Sequence, residues 1–126
     1  MSLELSMVGL VVEDMARALE FYRRLGIEIP DGEERKPFVM KRMESGVTIF
    51  WDTIFTKTYD PSWEEPSGGY RIQLEFFLEN EAAVDAKYAE LTGYGYHGRM
   101  PPTQTNGPYA AMVDDPNGNM ILITAG

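Results

Sequence analysis

Gln73 and Glu75 stand two residues apart in the run Arg71–Leu78, and that spacing is the sharpest chemical signal in the chain. In an extended strand alternate side chains share a face, so an amide oxygen and a carboxylate would point the same way. Glu75, set among apolar strands, could serve as a general base. The plainer role is favoured: a hydrogen-bond acceptor, or a partner for Arg71 on the same face. Asp52, just beyond Trp51, carries the same two readings. The chain has one histidine, His97, and no cysteine. A two-histidine, one-carboxylate iron centre cannot be assembled from that set, and a tight zinc or nickel site, which usually takes at least one imidazole or thiolate, has only His97 to draw on. His97 falls in the turn region Gly93–Pro101 and is expected to be a loop histidine. No Ser-His-Asp set, lysine nucleophile or glycine-rich phosphate loop is visible, and Gly93-Tyr94-Gly95 lacks the strand and helix context of a dinucleotide site.

A second group is soft and aromatic. Met7, Phe50, Met112 and Leu122 are candidates for a core or a pocket, and packing explains each on its own. Trp51, Phe55, Tyr59, Trp63 and Tyr109 are harder to place in a core as a group. Flat faces near acidic side chains suit stacking of a planar or cationic ligand; a hydrophobic dimer contact accounts for the linker aromatics equally well.

The elements that would position these residues follow from periodicity. Leu5–Val12 is expected to be a strand, and Asp14 caps a helix over Met15–Leu25 whose apolar side carries Leu19, Tyr22 and Leu25. Gly26 stops it. Short strands are expected near Glu28, over Phe38–Met43 and over Val47–Trp51, separated by Pro30-Asp31-Gly32 and Glu44-Ser45-Gly46. Residues 53–69 form an aromatic linker. Arg71–Leu78 then reads as a strand, Glu81–Leu91 as a helix, and Tyr109–Val113 and Asn119–Thr124 as strands around the turn Asp115-Pro116-Asn117-Gly118. Pro101-Pro102 to Asn106-Gly107-Pro108 is expected to be a loop.

The two halves repeat. Glu13 and Glu79, Ala16 and Ala82, Tyr22 and Tyr88, and Leu25 and Leu91 all stand 66 residues apart. The order of strand, capped helix and shorter strands is the same around both segments, which points to duplication of one unit. At 126 residues the chain is expected to be one domain, with repeat 1 about 4–52 and repeat 2 about 70–126. The net charge of −9 opposes nucleic acid and anionic membranes, and no apolar run is long enough to span a bilayer. A soluble, cytoplasmic protein is expected, since no charged-then-apolar leader opens the chain.

Glu13-Asp14-Met15-Ala16 followed by Phe21-Tyr22-Arg23-Arg24-Leu25-Gly26 resembles the D-x-x-x-A-x-x-F-Y-x-x-L-G signature of the glyoxalase/bleomycin resistance protein/dioxygenase superfamily, the vicinal oxygen chelate proteins. Asp115-Pro116-Asn117-Gly118-Asn119 is similar to that family's D-P-D-G-N turn. The resemblance implies an α+β fold of two βαβββ repeats forming a cupped, strongly curved mixed sheet, usually paired into a homodimer. It does not imply one reaction.

Metal-dependent members of that family hold a divalent ion through side chains on the first and last strands of each half. Carried over by resemblance, those positions fall on Met7, Phe50 or Ile49, Gln73 and Leu122. Only Gln73 offers an oxygen. The expectation is therefore a homodimeric small-molecule-binding protein without metal or other cofactor, of the kind that sequesters a planar or cationic compound such as an antibiotic. Its pocket is expected to draw on Met7, Phe50, Trp51, Trp63, Arg71, Gln73, Glu75, Tyr109, Met112 and Leu122. The rival readings are a metal-dependent lyase, isomerase or dioxygenase of the same fold, and a metal-independent enzyme using Glu75. Whether any reaction is catalysed stays open at this point, leaning towards none.

Overall fold

The computed structural model describes residues 3–125. Contacts divide the chain between Pro66 and Ser67 into two compact units, a boundary inside the expected linker. Among the described residues no helix is long and apolar enough to cross a membrane.

The first unit runs β1 (Met7–Val11), α1 (Met15–Leu25), a 3-10 turn (Glu33–Arg35), β2 (Phe38–Arg42), β3 (Thr48–Asp52) and α2 (Phe55–Tyr59). Asp14 starts α1 by accepting the Arg17 amide at 3.1 Å, which satisfies one of the helix's unpaired donors. Gly26 ends it at φ 129°, outside the range that side-chain-bearing residues favour, and its amide bonds back to Tyr22 and Arg23. Strand β3 is central, parallel to β1 and antiparallel to β2. The ring of Tyr22 packs 5.3 Å from that of Trp51, so strand alternation turns Leu10, Val39, Ile49 and Trp51 towards α1. All four are buried with Ala18, Leu19 and Phe21, and each such side chain contributes about 1.5–3 kcal/mol of transfer energy.

The strand expected near Glu28 is not formed. Among the described residues no backbone hydrogen bond ties Glu28, Ile29 or Pro30 to β2. Instead the Arg23 guanidinium donates to the Ile29 carbonyl at 3.0 Å and to the Pro30 carbonyl at 2.6 Å, with Glu34 as its counter-ion at 3.0 Å. A side chain from the helix thus takes the carbonyls a strand partner would have used, and the chain turns into Glu33–Arg35. Among its described residues the first unit has three strands where four were expected.

The second unit is the complete version: β4 (Gln73–Leu78), α3 (Glu81–Gly93), β5 (Gly98–Gln104), β6 (Tyr109–Asp114) and β7 (Met120–Ala125), in the sheet order β4-β7-β6-β5. Asn80 caps α3 through the Ala83 amide at 2.8 Å. Asp115 organises the turn into β7 by accepting the amides of Asn117 and Asn119, while Gly118 takes φ 83°. Strand β5 corrects the expected loop at Pro101-Pro102. It lies at the sheet edge against β6 alone, and its register shifts on both sides of Met100. Proline has no amide to give a ladder, so a strand holding two of them survives only at an edge with an irregular register. The α+β class holds: both sheets are mixed, and each pairs its opening and closing strands in parallel.

Candidate functional site

The register of the second unit decides which side chains share a face. Gln73 lies opposite Met120 and Glu75 opposite Leu122 in the parallel β4/β7 pair, and Met112 lies opposite Leu122 in the β6/β7 pair. Alternation therefore puts Gln73, Glu75, Met112 and Leu122 on one face, with Phe77, Asp114 and Thr124. Gln73 and Glu75 are exposed, and Met112 and Leu122 half-buried. These four expected site residues are brought together.

Thr124 belongs with them and was not among the expected site residues. Its hydroxyl donates to Oε2 of Glu75 at 3.0 Å from a fully buried position. The signal was available, since Thr124 stands two residues after Leu122 in the same strand. The expected partner Arg71 lies in the bend before β4, exposed, and makes no ion pair with Glu75. Asp114, the other acid on this face, is bonded to the Arg99 guanidinium, which in turn lies 5.0 Å from the Tyr70 ring. Glu75 is thus the carboxylate of this face that holds no cation among the described residues.

Tyr109 does not join the set. Its hydroxyl donates to Asp85 of α3 at 2.6 Å, which places the ring on the helix side of the sheet. That bond, with burial and the charges of Asp85 and Glu81, raises its pKa above the ordinary phenol value. His97 is exposed just before β5, where its carbonyl accepts the Asp114 amide at 2.9 Å.

In the first unit, Met7 opposite Thr48 and Gly9 opposite Phe50 share the face away from α1 with Phe38 and Met40. The rings of Phe38 and Phe50 are stacked with centroids 5.0 Å apart, and Met7, Phe38 and Met40 are all exposed. Phe38 and Met40 are further residues the sequence expectation did not include. The ladder also resolves the choice between Phe50 and Ile49. Gly9 and Glu75 stand at the repeat offset, and their cross-strand partners are Phe50 and Leu122. Phe50 is the counterpart of Leu122; Ile49 faces α1.

Trp51 is the clearest departure. It has no exposed surface and packs on Tyr22, on the opposite side of the sheet from Met7 and Phe50. Two neighbours in a strand cannot both face one pocket, and here the tryptophan goes to the core. Its indole Nε1 has no hydrogen-bond partner there. Trp63 is half-buried beyond α2, with Lys57 Nζ 5.4 Å from the ring centroid.

Asp52 is a helix cap. Its carboxylate accepts the amides of Ile54, Phe55 and Thr56 at 3.0, 2.7 and 2.9 Å and the Thr56 hydroxyl at 3.1 Å. Burial alone would raise its pKa, but the donated hydrogen bonds outweigh it and bring the carboxyl below its ordinary value. All of its acceptor capacity is spent on α2, which leaves none for a substrate.

No three histidine, cysteine, aspartate or glutamate side chains stand close enough to share a metal ion among the described residues. The residues at the four positions carried over by resemblance do not fit one either. Phe50 and Leu122 have no donor atom, Met7 offers only a soft thioether, and Gln73 supplies a neutral amide.

Comparison with known proteins bears on the fold and the family. The family model described as glyoxalase/bleomycin resistance protein/dioxygenase superfamily matches residues 4–123. A glyoxalase/bleomycin resistance protein/dioxygenase family enzyme from Burkholderia phytofirmans PsJN is similar in structure, with TM-score 0.81 and 21% identity over 98% of this chain and 98% of that one. The hypothetical protein SA1046 from S. aureus gives TM-score 0.78 and 20% identity over 100% of this chain and 95% of its own. A glyoxalase/dioxygenase from Nostoc punctiforme gives TM-score 0.70 and 16% identity, covering 97% and 90% of the two chains. At such identities the likeness is one of fold alone. None of the curated proteins matches the sequence. The family model spans nearly the whole duplicated chain, and the chain belongs to the glyoxalase/bleomycin resistance protein/dioxygenase superfamily.

Proposed function

We propose that this chain binds a small molecule without a divalent metal, on the sheet face that carries Gln73, Glu75, Met112 and Leu122. The observation that carries the reading is the β4/β7 register, which sets a carboxylate that holds no cation among the described residues, and an amide, beside two flexible apolar side chains. Such a surface suits a ligand with an apolar body and a cationic or hydrogen-bond-donating group. Met112 and Leu122 would cover the body, Glu75 would take the donor, and Gln73 would add a second polar contact. Glu75 acts as an acceptor in this reading, since the Thr124 hydroxyl already fixes one of its oxygens.

The planar-cation form of the proposal loses the support of Trp51, which lies in the core, and of Tyr109, which is bonded to Asp85. Homodimerisation and a cytoplasmic setting are part of the same proposal, the former supported by the exposed Ile54, Phe55 and Tyr59.

A thermal-shift panel of amine-bearing and uncharged aromatic compounds tests the reading. Stabilisation is expected from the amines, and Glu75→Gln is expected to remove it while leaving the unliganded melting temperature within a few degrees. Stoichiometric zinc, nickel, manganese or iron in protein grown in metal-supplemented medium, lost on Gln73→Ala, would overturn it. So would stabilisation by ligands that is indifferent to Glu75.

A further inference from the structure

The duplication leaves one position filled in the second unit and unfilled in the first. Strand β6 is covered on its outer side by β5, whereas its counterpart β2 has no strand beyond it among the described residues. An open groove of about 470 Å³ meets β2 at Lys41 and is otherwise lined by Arg23, Ile27, Glu28, Ile29 and Pro30. Its apolar lining includes Ile27 and Ile29, both largely buried. The carbonyls of Ile29 and Pro30 are held by Arg23, so this segment does not compete for the edge of β2.

An open edge offers a row of unpaired backbone groups, and it accepts whatever strand its side chains tolerate. Lys41 sets that tolerance. It lies opposite Ile49 in the β2/β3 ladder, hence on the side of the sheet that faces α1, and it pairs with no acid among the described residues. A lysine turned inward on an edge strand discourages pairing with an uncharged strand, because the ammonium would lose water without gaining a partner. Self-pairing of β2 about Met40 would set Lys41 against Val39 of the other copy and leave that cost in place. An acidic residue on the incoming strand removes it. Of the two cations in the groove lining, Arg23 is already matched by Glu34, which leaves Lys41 as the lining cation with no ion pair among the described residues.

We propose that β2 and this groove form a docking site for an extended acidic peptide segment of a partner protein, added as a fourth strand with a carboxylate directed to Lys41. The proposal rests on residues of the first unit alone and does not depend on what the face of Glu75 binds.

Fluorescence anisotropy with a short labelled peptide alternating valine and glutamate tests this on the full chain. The acidic peptide is expected to bind, its lysine counterpart to bind about tenfold more weakly or not at all, and a backbone N-methylated acidic peptide to lose binding. Lys41→Glu should reverse the preference between the acidic and basic peptides, with Lys41→Met giving an intermediate result and circular dichroism confirming that both variants fold. Equal binding of the two charged peptides, an unchanged preference in Lys41→Glu, retained binding of the N-methylated peptide, or no binding at millimolar peptide overturns the proposal. Self-association of the peptide-free chain that Lys41→Glu alters would assign the edge to a second copy instead.

Discussion

The ring of Phe50 lies across Gly9, its partner in the β1/β3 ladder, so closely that a β-carbon on Gly9 would stand 2.0 Å from Cζ. The glycine makes room for the phenyl group at the position corresponding to Leu122 in the second unit. Gly9→Ala is therefore expected to displace the half-buried ring and destabilise the fold by about 1 kcal/mol, the low end of the cost of added volume, since the clash is with the far end of a side chain. The cost should shrink when Phe50→Ala is made as well, since the clash is then gone. Urea unfolding of the two single variants and the double variant measures the coupling. Additive effects would mean that Phe50 rotates away freely.

Trp51 supplies the second prediction. With no exposed surface and Tyr22 against its ring, Trp51→Ala should cost about 3–5 kcal/mol of stability, as for other large-to-small core changes. Trp51→Phe should cost much less, because the indole N–H it removes has no partner to lose. Neither change should alter ligand affinity in protein that remains folded. A selective loss of affinity in Trp51→Phe, at unchanged stability, would return the residue to the binding face.

What the sequence made legible was local. Asp14 and Asn80 cap helices where their types predict, and the repeat offset is reproduced by the two ladders, which set Gly9 and Glu75 against Phe50 and Leu122. The errors come from interactions that sequence patterns do not carry. Arg23 replaces a strand partner by reaching backbone carbonyls from a helix, and two prolines disguise an edge strand as a loop. The misplaced aromatics are different, because parity could have found them. Phe50 and Trp51 are adjacent, and Tyr109 is three residues from Met112, so alternation separates each pair. Apolar bulk fits a core and a pocket alike, and position in the strand decides between them.

Asp52 gives a pH dependence with a definite sign. Its folded carboxyl sits below the ordinary value, through the amides and hydroxyl that outweigh burial. The unfolded chain then binds the proton more readily than the folded one, so the cap's contribution is present above the unfolded value and lost as pH falls through the folded value. The loss of a cap costs about 0.5–2 kcal/mol. Hydrogen exchange at the amides of Ile54, Phe55 and Thr56, which Asp52 holds, should accelerate over intrinsic rates as the solution is acidified through that window. In Asp52→Asn one of the two acceptor oxygens becomes an amide NH2, so these amides exchange faster at every pH, but the side chain does not titrate and the extra acceleration on acidification should vanish. Persistence of the effect in the asparagine variant would assign it to another carboxylate.

The last prediction separates affinity from stability at Thr124. Its hydroxyl is buried and its observed hydrogen-bond partner is Glu75 Oε2 at 3.0 Å. Thr124→Val keeps the shape and removes the donor. Glu75 is exposed and can turn to water, so the variant leaves no buried group unpaired, and stability should change by no more than about 1 kcal/mol. The carboxylate, however, loses the contact that fixes its direction. Affinity for an amine-bearing ligand should fall about two- to tenfold, in the range of one net hydrogen bond, with smaller effects on uncharged ligands that rest on Met112 and Leu122. Thr124→Ser retains the donor and should restore affinity even where the lost methyl lowers the melting temperature. Titration calorimetry and thermal unfolding of the three proteins measure the two quantities independently. If valine and serine lower affinity equally, Thr124 serves the core alone and Glu75 needs no help from it.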